Sequence, residues 1–437
     1  MDSSTLLTFR AELYACFLKC SDALMNAADA LLTDCTAKSF VELSLFPCFE
    51  RKWYSLYKAM RKGEVDRDAL QKLFAKYVPK PNERLVLAVD ASSIPRPSSG
   101  TARDRSYVHA ANLPKGSKPV VAGWQFSALV VLPEIPSSWT YTLDNQRIPS
   151  EKTQSEVAAS QLEALVPLLP AGSLLLADGG YGNATFMRCT EGVDCDKLCR
   201  LAKNRILYAA PVLRTAKPKP GHPEWHGAKF DCKNASTQTA PSATYTGLDA
   251  EGQEFEVCAF RDLHFQKARS VSVTVLRVTR HGAKGTERDP RVSWFVFAGK
   301  HLPALETLPA VYARRYSIEH GFRVDKQDLL WEGVRLRTPE AFQLWTDLVA
   351  CVRNQLFLAR ALAVSRRAWE RKEGVPTPSQ VRRAMPGIIR QLGTPARPPQ
   401  PRGYSQGRQK GVKVTPATRY KTVYKAKNKT NKTTAVV

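Results

Sequence analysis

Two short apolar runs in the first half of the chain are unbroken, and each is closed by an aspartate. Residues 85–89 (LVLAV) precede Asp90, and residues 174–177 (LLLA) precede Asp178. Runs of this length without alternation are typical of strands buried on both faces of a sheet that helices cover. The pattern therefore predicts an α/β fold in which two buried strands end in carboxylates.

Apolar residues recur at helical spacing near both ends of the chain and once between the two runs. The predicted helices are residues 5–32, 40–62, 67–77, 153–169, 339–363 and 376–392. Further strands are predicted at residues 120–132 and 195–202. Residues 204–300 are predicted to be β-rich, because alternating or β-branched runs are separated there by Gly, Pro and Asp turns.

One further predicted helix, residues 312–326 (YARRYSIEHGFRVDK), carries an unusual polar stripe. Spacings of three and four place Tyr312, Arg315, Glu319, Arg323 and Lys326 on one side. A single carboxylate among three cations and a phenol suits a site that holds a metal ion and a phosphodiester together. The alternative is a solvated face with ion pairs between successive turns.

The two strand-end aspartates favour the first interpretation. A carboxylate at the end of a buried strand is costly unless a cation compensates its charge. Small residues follow both Asp90 and Asp178, which leaves the sheet edge open to a ligand. Either aspartate alone could instead be a helix cap or a turn residue. Together with Glu319 they make three carboxylates that could gather at one place.

Asp90, Asp178 and Glu319 resemble the DDE triad of cut-and-paste insertion-sequence transposases, whose catalytic domain is RNase H-like. The resemblance extends over residues 80–360. It implies a mixed sheet flanked by helices, in which the strands of Asp90 and Asp178 are neighbours. The interval of about 140 residues between Asp178 and Glu319 exceeds what the fold needs, and in the resembled group it holds an inserted β-rich subdomain.

The polar stripe narrows the resemblance further. Tyr312, Arg315, Glu319 and Lys326 fit, without gaps, the YREK signature of one transposase group. The implied division is a helical region at 1–80 for DNA-end binding or dimerisation, and a catalytic domain at 81–203 and 301–363. The β-rich insertion at 204–300 interrupts that domain, and a helical region at 364–395 and a basic disordered tail at 396–437 follow it.

The resemblance also implies a cofactor and a reaction. The triad would hold two Mg²⁺ ions about 3.5–4 Å apart, with Mn²⁺ as a substitute, because all its ligands are hard oxygens. The expected reaction is a nick, a DNA hairpin, hairpin opening and strand transfer into target DNA. The expected partners are double-stranded DNA, as terminal inverted repeats and target, and a second copy of the chain in a homodimer.

Several residues are candidate DNA contacts. Tyr312, Arg315, Arg323 and Lys326 would contact phosphates near the cleaved end. Trp294 would stack on a base flipped out during hairpin formation, or would simply belong to the β core. Arg200, Lys203 and Arg205 follow the strand at 195–202 and are either phosphate contacts or a solvated loop end.

Charge supports a polyanionic partner. The 437 residues have a formal net charge of +25, and eleven Lys or Arg follow Ala396 with no acid. Such a tail is predicted to bind phosphates without sequence specificity. No secretory signal, CxxC pair or 18-residue apolar stretch is present, so we expect a cytoplasmic, nucleoid-associated bacterial protein with reduced thiols.

Two other functions fit parts of the same pattern. One is an RNase H-like nuclease without strand-transfer activity. The other is a catalytically silent DNA-binding regulator derived from a transposase. An intact triad argues against the second, and assays of cleavage and joining separate all three.

Overall fold

A computed structural model of the chain describes residues 2–110, 119–211, 225–286, 289–364, 374–400, 407 and 409–425. The helices are α1 (Ser3–Ala15), α2 (Ser21–Thr33), α3 (Phe40–Leu43), α4 (Trp53–Lys62), α5 (Arg67–Lys76), α6 (Gln154–Leu165), α7 (Ala184–Cys189), α8 (Leu308–Ala313), α9 (Tyr316–Arg323), α10 (Pro339–Ala359) and α11 (Pro378–Leu392). The strands are β1 (Phe17–Lys19), β2 (Glu64–Val65), β3 (Val86–Pro95), β4 (Ser106–His109), β5 (Val120–Val131), β6 (Tyr141–Ile148), β7 (Leu174–Ala177), β8 (Asp196–Leu201), β9 (Ile206–Ala209), β10 (Lys229–Asp231), β11 (Ala243–Leu248), β12 (Glu254–Phe265), β13 (Ala268–Arg280) and β14 (Val292–Ala298).

A twelve-stranded mixed sheet organises the chain. Its path is β10-β9-β12-β13-β14-β8-β7-β3-β5-β4, with β11 paired to β12 and β6 paired to β5. Strands β3, β7 and β8 are parallel neighbours, whereas β5 and β14 flank them antiparallel. Helices flank this sheet, which confirms the predicted α/β class and is consistent with an RNase H-like fold.

The β-rich stretch continues the same sheet. Strand β14 pairs with β8 from Trp294↔Leu201 to Ala298↔Lys197. One apolar cluster joins Ala88 and Leu176 of the central strands to Val257 and Phe297 of the β-rich stretch. The sheet is therefore continuous across the point where the insertion was predicted to begin.

The long helix predicted at 5–32 is wrong in detail. It divides into α1 and α2, because β1 lies between them and pairs with β2. Cys20 adopts a left-handed conformation (φ 59°) just before α2, which a continuous helix cannot accommodate. The helix predicted at 40–62 is likewise divided into α3 and α4, with Pro47 in the intervening segment.

Helix α10 is the central helix of the fold. Almost all of its 21 residues are buried, and it packs against β6 and against α1, α2, α4 and α11. The N-terminal helices thus share an apolar core with the elements that follow the sheet. Among the described residues, no helix has both the length and the apolar content needed to cross a bilayer.

Part of the segment predicted to be a disordered tail contacts the edge of the sheet. The backbone N–H of Val423 donates to the Arg105 carbonyl, and that of Tyr420 donates to the Gly100 carbonyl at 2.8 Å. The Tyr424 hydroxyl lies 3.1 Å from the Tyr107 hydroxyl on β4. Residues 401–406, 408 and 426–437 of the predicted tail lie outside the described residues.

Candidate active site

Asp90 and Asp178 lie at the same edge of the sheet. Strands β3 and β7 are parallel, and Val89 and Ala177 are partners in their register. The residues that follow them, Asp90 and Asp178, are therefore side by side where this parallel pairing ends. Strand β7 ends at Ala177, whereas β3 continues to Pro95 against β5, so Asp90 lies within its strand and does not end it as predicted. The Asp90 carboxylate accepts the Ala91 N–H at 2.7 Å, and the Asp178 carboxylate accepts the Gly180 N–H at 2.9 Å.

The environment of Asp90 disfavours its charged form. Burial raises the pKa of Asp90 to about 6, and the neighbouring Asp178 charge contributes in the same direction. The Arg315 guanidinium acts against this rise. The negative charges of Asp90 and Asp178 are thus only partly compensated by protein groups. A bound cation would favour the ionised form of both carboxyl groups.

Arg315 links Asp90 to Glu319. Its guanidinium donates to Asp90 Oδ2 at 3.1 Å and to Glu319 Oε1 at 3.0 Å. The Arg315 and Asp90 side chains are 16% and 19% exposed, whereas Glu319 is 47% exposed. The third carboxylate is therefore separated from the first by one guanidinium group and faces solvent on its other side.

The segment that carries Glu319 is not the single helix predicted at 312–326. Helix α8 ends at Ala313 and α9 begins at Tyr316. The N–H groups of Arg315, Ser317 and Ile318 bond to carbonyls three residues earlier, so the chain is tightened between the two helices. After α9 the chain widens into a π-helical turn over Val324–Asp328.

Other stripe residues contact the strands that carry the aspartates. The Tyr312 hydroxyl donates to the Ala177 carbonyl at 3.1 Å, and burial raises the pKa of this phenol. Lys326 Nζ donates to the Ser93 carbonyl of β3 at 2.9 Å and lies 3.4 Å from Glu332. Arg323 is exposed. The stripe thus lies along the end of β7 and the second half of β3.

Helix α9 is held from behind by α10. Arg353 is 2% exposed and donates to the Gly321 carbonyl, to Asp325 at 2.9 Å and to Thr140 at 2.8 Å. A Cβ on Gly321 would lie 2.9 Å from Arg353 Nη2 and 3.0 Å from Thr140 Oγ1. Glycine at this position therefore permits the close approach that fixes the position of Glu319.

The donor chemistry at the strand ends suits a hard divalent cation. Asp90 and Asp178 supply carboxylate oxygens, the ligand type that Mg²⁺ and Mn²⁺ prefer. Within the part of the chain that the structure describes, no group of three His, Cys, Asp or Glu side chains is arranged to hold a metal ion. Arg315 lies between Asp90 and Glu319, so completing a three-carboxylate set requires that guanidinium to move.

The remaining candidate DNA contacts fall into two groups. Arg200 follows Cys199, the register partner of Ala177, so it lies beside Asp178 at the same sheet edge. Lys203, which is exposed, and Arg205, which is half-buried, lie in the connection between β8 and β9. These three side chains surround the carboxyl end of β8.

Trp294 lies away from solvent. It is 5% exposed, and its ring centroid is 6.2 Å from that of Phe230 and 6.3 Å from that of Phe260. This packing matches the alternative of a β-core residue. A base-stacking role would require the indole to leave this aromatic cluster.

Some residues around the site had no place in the sequence interpretation. Tyr181 is fully buried, and the charges of Asp90 and Asp178 add to the effect of burial in raising its pKa. Arg353 fixes α9, and the only signal for it was a cation within an apolar helix. Elsewhere, in the β-rich stretch, Trp225 is 42% exposed and its ring centroid lies 3.6 Å from the Arg269 guanidinium carbon, in a cleft that Arg188 and Lys267 also line.

Comparison with known proteins identifies a family. Residues 12–264 match the family model described as DDE superfamily endonuclease. This span covers more than half of the chain and includes Asp90 and Asp178, and it ends before Glu319. No curated protein matches the chain.

Proposed function

Because this chain belongs to the DDE superfamily of endonucleases, we propose that it is a transposase that cuts the ends of an insertion sequence and joins them to target DNA. The observation that carries the proposal is that two aspartates follow the last paired residues of the adjacent parallel strands β3 and β7, with Glu319 joined to one of them through Arg315. The fit of Tyr312, Arg315, Glu319 and Lys326 to the YREK signature supports the cut-and-paste group within the superfamily.

Asp90, Asp178 and Glu319 would hold divalent cations, Mg²⁺ or Mn²⁺. Such ions would activate a water molecule or a 3′-hydroxyl of the DNA as nucleophile and would stabilise the leaving oxygen of a phosphodiester. The half-buried position of Asp90 excludes much of the solvent from this edge, which strengthens the electrostatic interactions of the carboxylates with a cation and with a phosphate.

The cations of the stripe would position the DNA. Arg315 can donate two parallel hydrogen bonds to phosphate oxygens once it leaves the carboxylates. Lys326, which here bonds to the Ser93 carbonyl, and Arg200 beside Asp178 lie close enough to this edge to contact the same backbone. Arg323, Lys203 and Arg205 would extend the basic surface to flanking phosphates.

The full reaction that we propose runs from a nick through a hairpin on one DNA end to strand transfer, within a homodimer that pairs two ends. In this reaction Tyr312 would donate a hydrogen bond to a phosphate near the cleaved end once its hydroxyl leaves the Ala177 carbonyl. Trp294 would stack on the flipped base after leaving its cluster with Phe230 and Phe260.

The first test is cleavage by variants of the triad. We expect Asp90→Ala, Asp178→Ala and Glu319→Ala each to abolish Mg²⁺- or Mn²⁺-dependent cutting of a plasmid that carries the DNA flanking the gene. Binding of the same DNA should persist, because each change removes negative charge from a basic protein. Glu251→Ala, at an exposed turn of the β-rich stretch, is the control and should cut normally. Full cutting by any triad variant would refute the assignment.

A second assay separates a transposase from a nuclease. Oligonucleotide duplexes with 3′-hydroxyl ends of the element are incubated with a supercoiled target plasmid and divalent metal. Joined products are expected of a transposase. Cutting of the plasmid without any joined product would favour a nuclease that lacks strand transfer.

A further inference from the structure

Helix α4 (Trp53–Lys62) separates its buried and exposed side chains into two arcs. Leu56, Ala59 and Met60 are at most 2% exposed. At about 100° per residue they span an arc of about 100° on the helix surface. This arc packs against α2, α3 and α10. These three helices therefore cover the core-facing side of α4.

The opposite arc is aromatic and basic. We call it the α4 face, and it consists of Trp53, Tyr54, Tyr57, Lys58 and Arg61, which span about 140°. The three aromatic side chains are 57%, 52% and 41% exposed. The Trp53 ring centroid lies 6.3 Å from that of Tyr54 and 6.0 Å from that of Tyr57. Contiguous exposed aromatic surface of this kind marks an interaction site.

The charge of the segment indicates the kind of partner. Residues 51–62 contain five Lys or Arg and no Asp or Glu. In a two-fold dimer the same face would meet itself, and this would bring like charges together at close range. A polyanion is instead complementary to the cations, while aromatic rings can contact sugars and base edges.

We propose that the α4 face binds double-stranded DNA, with α4 lying along the major groove. The groove is about 12 Å wide and admits one α-helix. Lys58 and Arg61 would contact phosphates, and Trp53 and Tyr54, one turn closer to the N-terminus, would contact the groove edges. The choice of DNA as the partner rests on the proposed function. The inference adds the surface that holds the DNA, away from the carboxylates that would cut it.

The test measures binding of a fluorescein-labelled, random-sequence DNA duplex by anisotropy over a range of salt concentrations. The charge variant Lys58→Glu/Arg61→Glu should weaken binding by about tenfold or more and reduce the salt slope by about 2. The control Lys72→Glu/Lys80→Glu changes the charge equally at two exposed lysines outside α4, and its affinity should remain within about threefold of the unmodified chain.

An aromatic variant separates the two parts of the face. Trp53→Ala/Tyr54→Ala removes exposed rings and leaves the charge unchanged, so we expect weaker binding with an unaltered salt slope. All variants change exposed residues, and circular dichroism checks that each retains the fold. Equal affinities of the charge variant and its control would overturn the inference.

Two further measurements, the oligomeric state and DNA cleavage, distinguish failure of this inference from failure of the proposed function. A charge variant that binds the duplex normally but changes mass in light scattering would assign the α4 face to a protein contact and overturn the inference. An unmodified chain that cuts no DNA with Mg²⁺ or Mn²⁺ would refute the proposed function. The DNA-binding role of α4 would stand in that case if the affinities followed the expected order.

Discussion

At the scale of single residues, Arg315 holds the centre of the site together. It pairs with Asp90 at 3.1 Å and with Glu319 at 3.0 Å. The sequence interpretation assigned this arginine to phosphate contacts. The spacing of the stripe does not show which anion each of its cations binds, so the pairing with Asp90 was not predicted. A guanidinium and a divalent cation would both be attracted to the same carboxylates, so Arg315 and a metal ion are expected to compete for them.

This competition can be measured without DNA. Arg315→Ala leaves the half-buried Asp90 without its cationic partner, and we expect a loss of stability of about 1–3 kcal/mol in metal-free buffer. Mn²⁺ should then raise the melting temperature of the variant more than that of the unmodified chain. A charge-removing change at exposed Arg323 on the same segment, Arg323→Ala, serves as the control.

The contrary outcome is specific. If Mn²⁺ stabilises the Arg315→Ala variant no more than it stabilises the unmodified chain and the Arg323→Ala control, Arg315 does not compete with a cation at Asp90. The guanidinium would then be a positioning group for Glu319 that remains in place when metal binds.

At the scale of elements, the pattern of apolar residues predicted those strands and helices whose conformation depends mainly on their own sequence. The buried runs before Asp90 and Asp178 were predicted because burial on both faces of a strand leaves a continuous apolar sequence. The division between α8 and α9 was not predicted, since Arg314 and Arg315 are compatible with a helix. Contacts with the strands and with α10 decide the geometry there.

The position of α9 is predicted to depend on Gly321. A Cβ there would lie 2.9 Å from Arg353 Nη2, and Arg353 cannot yield readily because it is buried and donates to three oxygens. Gly321→Ala should cost about 1–3 kcal/mol of stability and should reduce the cleavage rate, because Glu319 lies two residues away. Urea unfolding and plasmid nicking measure the two effects.

Gly333→Ala is the matched control. The nearest atom to its Cβ would be Leu330 Cδ2 at 3.6 Å, an ordinary van der Waals contact. We therefore expect Gly333→Ala to retain both stability and cleavage. Equal behaviour of the two variants would show that the approach of α10 to α9 is not what positions Glu319.

At the scale of the whole molecule, a buried ionic network joins regions that are far apart in the sequence. Arg67 of α5 lies 2.6 Å from Asp144 of β6 and 3.6 Å from Asp347 of α10. Gln343 donates to Asp347 at 2.9 Å. The network could not be predicted from the sequence, because each member sits within an otherwise ordinary helix or strand and only the fold brings them together. It connects the N-terminal helices to the sheet and to the central helix.

This network makes the stability of the molecule depend on pH. Burial raises the pKa of Asp347 from 3.8 to about 6, despite the opposing attraction of Arg67. Between about pH 4 and pH 6 the folded chain therefore holds a proton that the unfolded chain releases. The contribution of this group to the free energy of unfolding is greatest below about pH 4, falls as the pH rises through about 6, and is constant above it.

Asp347→Asn removes this titration and keeps an oxygen that can accept the Gln343 hydrogen bond. The free energy of unfolding of the variant, relative to the unmodified chain, should increase from about pH 4 to pH 6.5 by up to about 3 kcal/mol. Urea unfolding across this pH range measures the difference, and Glu251→Gln at an exposed turn is the control. A difference that does not change with pH would mean that Asp347 is ionised in the folded chain throughout, with Arg67 fully offsetting its burial.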